Sequence, residues 1–170
     1  MFPYQLLKAN SVARKHGWAE FISIQNHYNI IYREEEREMI QLLEEEKMVM
    51  TPYSPLAAGR VCRMPDDEVT KRLSDDVTNV KKYEHAKEID LPIIKRIKEI
   101  ADKIKATMAQ VSLAWILSKP LVASPIVGFT KISQLESICD VFKIKLTDED
   151  IKYLEELYVP HKVVGALKKE

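Results

Sequence analysis

The sequence predicts an α/β fold with parallel strands, and three observations carry that expectation. Short strand-like runs near residues 21–25, 48–50 and 121–128 alternate with longer stretches of helical periodicity. Each strand-like run ends in polar residues: Gln25-Asn26-His27, Tyr53-Ser54, and Thr130-Lys131. Ligands of such folds collect at the carboxyl ends of the strands, so the three clusters are expected to share one rim.

In chain order, residues 3–16 read as a helix, with Pro3 tolerated in its first turn, Lys15 and His16 suited to its C-terminal dipole, and Gly17 able to stop it. Phe21 to Gln25 is too short for a helix and rich in β-formers, which predicts a buried strand. Arg33 to Lys47 predicts a helix with early acids, a late lysine and an apolar stripe of Met39, Ile40, Leu42 and Leu43. Met48-Val49-Met50 is the next strand. Val61 to Asp90 is polar and without sustained periodicity, which predicts a long loop with a short helix around Asp75 to Lys87. Leu91 to Lys105 places Ile93, Ile94, Ile97, Ile100 and Ile104 on one helical face. Thr107 and Gln110 form a capping-box pattern for a helix that ends at Lys119-Pro120. Leu121 to Gly128 is a third strand-like run; Thr130 or Ser133 can cap a helix through Leu135 and Val141. Leu146-Thr147-Asp148 opens a last helix, and the tail after Pro160 is expected to strap over the surface.

Composition narrows the function. With 170 residues, 46% of them hydrophobic and 31% charged, the chain suits one soluble globular domain. Lys plus Arg and Asp plus Glu balance at 26 each, which removes the basic excess that favours nucleic acid or an anionic membrane surface. No apolar run reaches spanning length and the polar start is not a secretory signal, so a cytoplasmic protein with no membrane or nucleic-acid partner is expected. Cys62 and Cys139 stand without metal-ligand spacing or a disulfide framework, which suits a reducing compartment and predicts no metal site.

The stretch Met48 to Arg60, MVMTPYSPLAAGR, is the richest in chemistry. Pro52 and Pro55 forbid both a helix interior and a central strand, so the strand must end here. Ser54, Ala57, Ala58 and Gly59 have short side chains that let backbone N–H groups approach a ligand, and Arg60 supplies a cation. An aromatic ring, a hydroxyl and exposed amides at one strand end suit a flat ring joined to a phosphate.

Four segments in order and spacing, FISIQNHYNIIYREEEREMI, MTPYSPLAAGR, TMAQVSLAWILSKP and SPIVGFTKISQLE, resemble the aldo-keto reductase family across nearly the whole chain. The resemblance implies a (β/α)8 TIM barrel that binds NADP(H) without a Rossmann motif, in keeping with the lack of any G-x-G-x-x-G here. It implies that Gln25, on the sixth barrel strand, bonds the nicotinamide carboxamide and that Tyr53, at the end of the seventh, stacks on the nicotinamide ring. Ser54, Leu56 and Ala57 match the pyrophosphate loop. Thr130, Lys131 and Gln134 match the segment that grips the adenosine ribose and its 2′-phosphate, while Ser137-Ile138 stand where a Glu-Asn pair usually reads the adenine.

The resemblance also implies a departure. The family's catalytic Asp, Tyr, Lys and His belong to the first four strands, and the first residues here resemble the fifth helix, so all four positions would lie upstream of Met1. The expectation is a partial barrel over residues 1–170, running from the fifth helix to the C-terminal strap, with about three parallel strands, surrounding helices and no catalytic residue of its own. His27 and Tyr28 read as a strand-end contact and a packed ring rather than a rebuilt acid. Two functions follow from the resemblance. One is the C-terminal part of an NADP(H)-dependent oxidoreductase that reduces a small carbonyl substrate, inactive as this chain alone. The other is a non-catalytic truncated half-barrel that binds nucleotide weakly or pairs with another protein, self-association through open sheet edges included.

Overall fold

The computed structural model describes residues 1–65 and 83–163. Helix α1 (Pro3–His16) matches its expected bounds and ends at Gly17, whose φ of +66° lets Trp18 N–H reach back to the Ala13 carbonyl at 2.9 Å. Leu6, Asn10 and Ala13 form its buried face. Asn10 clamps the chain entering the sheet: its amide accepts from Phe21 N–H at 2.9 Å and donates to Phe21 C=O at 3.2 Å.

Strands β1 (Ser23–Ile24) and β2 (Val49–Met50) are parallel, with Ser23 opposite Val49 and Ile24 opposite Met50. Thr51 N–H to Ile24 C=O and Tyr53 N–H to Asn26 C=O, both 2.9 Å, carry the pairing on to a His27–Tyr53 bridge. The third run is extended and parallel but is not a continuous strand. It meets β2 through bridges at Val122 to Met50 and Ile126 to Tyr53. Pro52 and Pro125 lack the N–H a ladder needs, and the spacing between the two bridges leaves one extra residue on the 122–126 side, a bulge.

The expected helix over Arg33 to Lys47 is also shortened, to a 3-10 turn at Glu34–Glu36 and helix α2 (Met39–Glu45). Tertiary partners hold the acidic start out of α-helical form: Glu34 accepts from Tyr158 and from His161 N–H, and Glu36 accepts from Tyr28 and Arg33. Helix α3 (Lys87–Ile104) begins four residues before Leu91 and buries Ile93, Ile94, Ile97 and Ile100 along the expected stripe. Helix α4 (Met108–Leu117) has its reciprocal cap in place, Gln110 N–H to Thr107 Oγ1 at 3.2 Å and Thr107 N–H to Gln110 Oε1 at 2.8 Å. Helix α5 (Ile132–Cys139) starts from Lys131, not from Thr130 or Ser133, and buries no side chain. Helix α6 (Asp148–Glu155) opens on Thr147 as expected. The short helix expected around Asp75 to Lys87 falls largely outside the described residues, as does the end of the strap.

The core lies between these helices and one face of the sheet, where Met50, Leu43, Ile97, Trp115 and Leu154 are fully buried. Among the described residues nothing covers the other face. The expectation of a buried strand at residues 21–25 is therefore corrected: Phe21 is 54% and Ile22 78% exposed, because no described element covers them. The tail departs from a surface strap as well, since His161 is buried against Asp90 and Glu34.

Candidate functional site

The carboxyl ends of the three extended segments come together at one rim, built around the loop after β2. Pro52 ends the ladder and the chain then takes an unusual path: Ser54, Ala57, Ala58 and Gly59 all have positive φ, at 56°, 48°, 55° and 91°. Left-handed backbone at three residues other than glycine costs on the order of 1 kcal/mol each and persists only where surroundings enforce it. Here Ala57 is fully buried, Leu56 packs on the core, and Ala57 N–H to Ser54 C=O and Gly59 N–H to Leu56 C=O close two tight turns at 3.0 and 2.7 Å. Arg63 lies over the loop: its Nη2 is 3.4 Å from where a Cβ on Gly59 would stand.

Tyr53 is half-exposed on the uncovered face, its ring stacked on His27 at 5.2 Å, and His27 stacks in turn on Tyr32 at 4.1 Å. Behind them, the buried Tyr83 hydroxyl contacts His27 Nε2 at 2.6 Å, Asn29 Nδ2 at 3.2 Å and Ser54 Oγ at 3.3 Å. Arg60 lies 5.0 Å over the Tyr83 ring. Burial pushes the Tyr83 phenol up to about 12, against its hydrogen bonds to Ser54 and Asn29. Burial and then the Glu35 charge also raise Tyr53. Both phenols stay protonated at neutral pH.

Gln25 lies on the same open face as Tyr53, two residues before His27 in the strand, with its side chain exposed. Thr130, Lys131 and Gln134 follow Ile126 and are exposed, and their polar partners are one another: Gln134 Oε1 accepts from Thr130 N–H at 2.9 Å and Lys131 N–H at 3.2 Å. Gln25 and Tyr53 are thus brought onto one surface by the parallel ladder, whereas Ser54, next in the chain, turns its hydroxyl to the buried Tyr83. The Thr130–Gln134 group stands at the start of α5 as a separate cluster. His27 and Tyr28 behave as expected: His27 makes the strand-end contact, and Tyr28 is buried 5.5 Å from Trp115 with its hydroxyl on Glu36. Sequence reasoning missed Asn29, Tyr32 and Tyr83. The first two sit in the Q-N-H-Y-N-I-I-Y run, where polar and aromatic residues crowd a strand end, whereas Tyr83 sits in a charged stretch with no periodic signal.

The aldo/keto reductase family model matches residues 4–159. The chain belongs to the aldo/keto reductase family. It is 36% identical over 165 residues to an aldo-keto reductase of Fusarium vanettenii, covering 97% of this chain and 44% of that protein. A Schizosaccharomyces pombe protein provisionally described as an aryl-alcohol dehydrogenase is 40% identical over 168 residues, covering 96% of this chain and 50% of its own length. A versiconal hemiacetal acetate reductase of Aspergillus parasiticus is 38% identical over 161 residues, covering 94% and 47%. The chain therefore spans about half the length of the curated relatives it matches. Among the described residues no helix is long and apolar enough to cross a membrane, and no group of His, Cys, Asp and Glu side chains could hold a metal ion.

Proposed function

We propose that residues 1–170 are the cofactor-gripping part of an NADP(H)-dependent aldo/keto reductase, a partial (β/α)8 barrel acting on an aldehyde or ketone in the cytoplasm. The observation that carries this reading is the parallel ladder that sets Gln25 and Tyr53 on one open surface, with Ser54 next in the chain. The residues fit the group. Tyr53 offers one ring face while His27 backs the other, the exposed Gln25 amide can meet a carboxamide, and the positive-φ loop from Ser54 to Gly59 follows Tyr53 directly in the chain. Leu56 and Ala57 anchor that loop in the core. Lys131 and Thr130 are exposed and can meet a 2′-phosphate. Gln134 is already occupied with the start of α5, so in this reading it holds Thr130 and Lys131 in place.

When bound, NADPH supplies the hydride; the carbonyl oxygen then needs a proton. A suitable donor has its pKa lowered by a neighbouring cation. Tyr28, Tyr53, Tyr83 and Tyr158 are instead all raised by burial, which disfavours proton release. We therefore expect no carbonyl reduction by residues 1–170 alone and weak NADPH binding, on the order of high micromolar. Calorimetric titration with NADPH and NADH, on wild type and Lys131→Ala, tests the grip. The expected result is preference for NADPH that Lys131→Ala erases. Equal affinity for both cofactors, or turnover of an aldehyde panel that Tyr53→Ala abolishes, would overturn this reading.

A further inference from the structure

Resting on that reading, we propose that Tyr83 is a positioning residue: its hydroxyl locks His27 behind Tyr53 and ties the β2 loop at Ser54 to the β1 end, fixing the ring plane on which nucleotide is stacked. The hydroxyl has room for one donated and two accepted hydrogen bonds, and three partners from two strand ends surround it. It donates to His27 Nε2, accepts from Asn29 Nδ2 and accepts from Ser54 Oγ. That assignment makes Nε2 the accepting nitrogen of the His27 ring.

The rest of the network agrees with it. Asn29 Oδ1 accepts from Ile31 N–H at 3.1 Å, which turns its NH2 inward. One N–H then reaches the Ser54 carbonyl at 3.0 Å, and the other is shared between Tyr83 and His27 Nε2, the latter at 3.3 Å. Ser54 is held from both its carbonyl and its hydroxyl, at a residue whose φ of +56° needs holding. His27 is fixed by an edge-on contact with Tyr83 and by stacking between Tyr32 and Tyr53, with an interplanar angle of 18° to each. With His27 held by these contacts, the Tyr53 ring stacked on it has one resting plane before any ligand arrives. Such preorganisation lowers the ordering cost of binding.

Tyr83→Phe removes one oxygen, and His27→Phe keeps a stacking ring while removing Nε2. If the network positions Tyr53, both variants keep a cooperative melt, both speed flipping of the Tyr53 ring in ligand-free protein as read by NMR line shapes, and both weaken NADPH about tenfold. The ratio of NADPH to NADH affinity should stay at the wild-type value, because the 2′-phosphate group is gripped elsewhere, and general loosening of the fold would not preserve it. Unchanged Tyr53 flipping with unchanged affinity in Tyr83→Phe overturns the proposal. So does a loss in Tyr83→Phe that His27→Phe fails to share. If wild type binds no NADPH, the reading above fails on its own, and the ligand-free ring measurement still decides this one.

Discussion

Near neutral pH, one buried pair should set how the stability of this chain responds to protons. His161 Nε2 meets Asp90 Oδ1 at 2.8 Å with both side chains almost fully buried. Burial alone would lower the His161 pKa, but the hydrogen bond and charge of Asp90 outweigh it and the net shift is upward. Asp90 is itself held above the ordinary carboxylate value by burial, against the pull of His161. Glu34, which accepts from His161 N–H, the His85 ring 6.4 Å away, the stacked Tyr158 and the Arg60 charge near Asp90 complete the surroundings. Folded His161 binds its proton more tightly than the unfolded chain does at 6.5. Its contribution is therefore full below that value and lost as pH rises through the raised folded pKa. Urea midpoints should fall between about pH 6 and about pH 8.5, and Asp90→Asn should flatten that slope while costing about 2 kcal/mol at the lower pH. A wild-type midpoint that holds steady or rises over this range would remove the assignment. Nothing in the tail's sequence pointed to this pair, because a lone histidine after a proline carries no periodicity. Tyr53 and Ser54 were legible as candidates because Pro52 and Pro55 mark a strand end, and Gln25 because a run of β-formers ends there in polar residues. The occupation of Gln134 by its own helix start was not, since side-chain capping by glutamine depends on which residue the helix begins from.

At the scale of elements, most helices were read from the chain near their bounds, whereas the strands were read in position and parallel direction but not in length. The α3 stripe and the α4 cap are local patterns, set by residues three and four apart, and both are present. Strand length depends on partners far along the chain and on proline positions across the ladder, so the runs at 21–25 and 121–128 shrink to two residues and two bridges. The acidic start of the expected 33–47 helix lost to long-range bonds with Tyr158 and His161 for the same reason. This ranking is measurable. Ile97→Ala empties a fully buried site facing the core and should cost about 3 kcal/mol, whereas Thr107→Ala removes one cap and should cost about 1 kcal/mol. Chemical denaturation of the two variants checks the order, and equal costs would mean that α3 packs less tightly than its burial indicates.

At the largest scale, the decisive feature is a sheet that the described residues cover on one side only. Pairing puts Ser23, Gln25, Val49, Thr51 and Tyr53 on the open face, and Val49, Ile126, Phe21, Ile22 and Trp18 expose large apolar surface on and beside it. The outer edge of β1 has no partner strand among the described residues. An unpaired edge beside exposed apolar side chains is a template for another chain. The expected outcome is self-association that grows with concentration, visible in sedimentation velocity as a shift away from monomer across the micromolar range. Charge on the open face should oppose it, so Val49→Lys, at a residue 36% exposed, should return the chain toward monomer with little loss of stability. Phe142→Lys serves as the contrast: that side chain is 80% exposed in the 3-10 turn after α5, remote in sequence from the open strands, and its replacement should leave association unchanged. Association that both variants weaken equally would point to general stickiness, and a wild-type monomer at every concentration would remove the open face as an association surface.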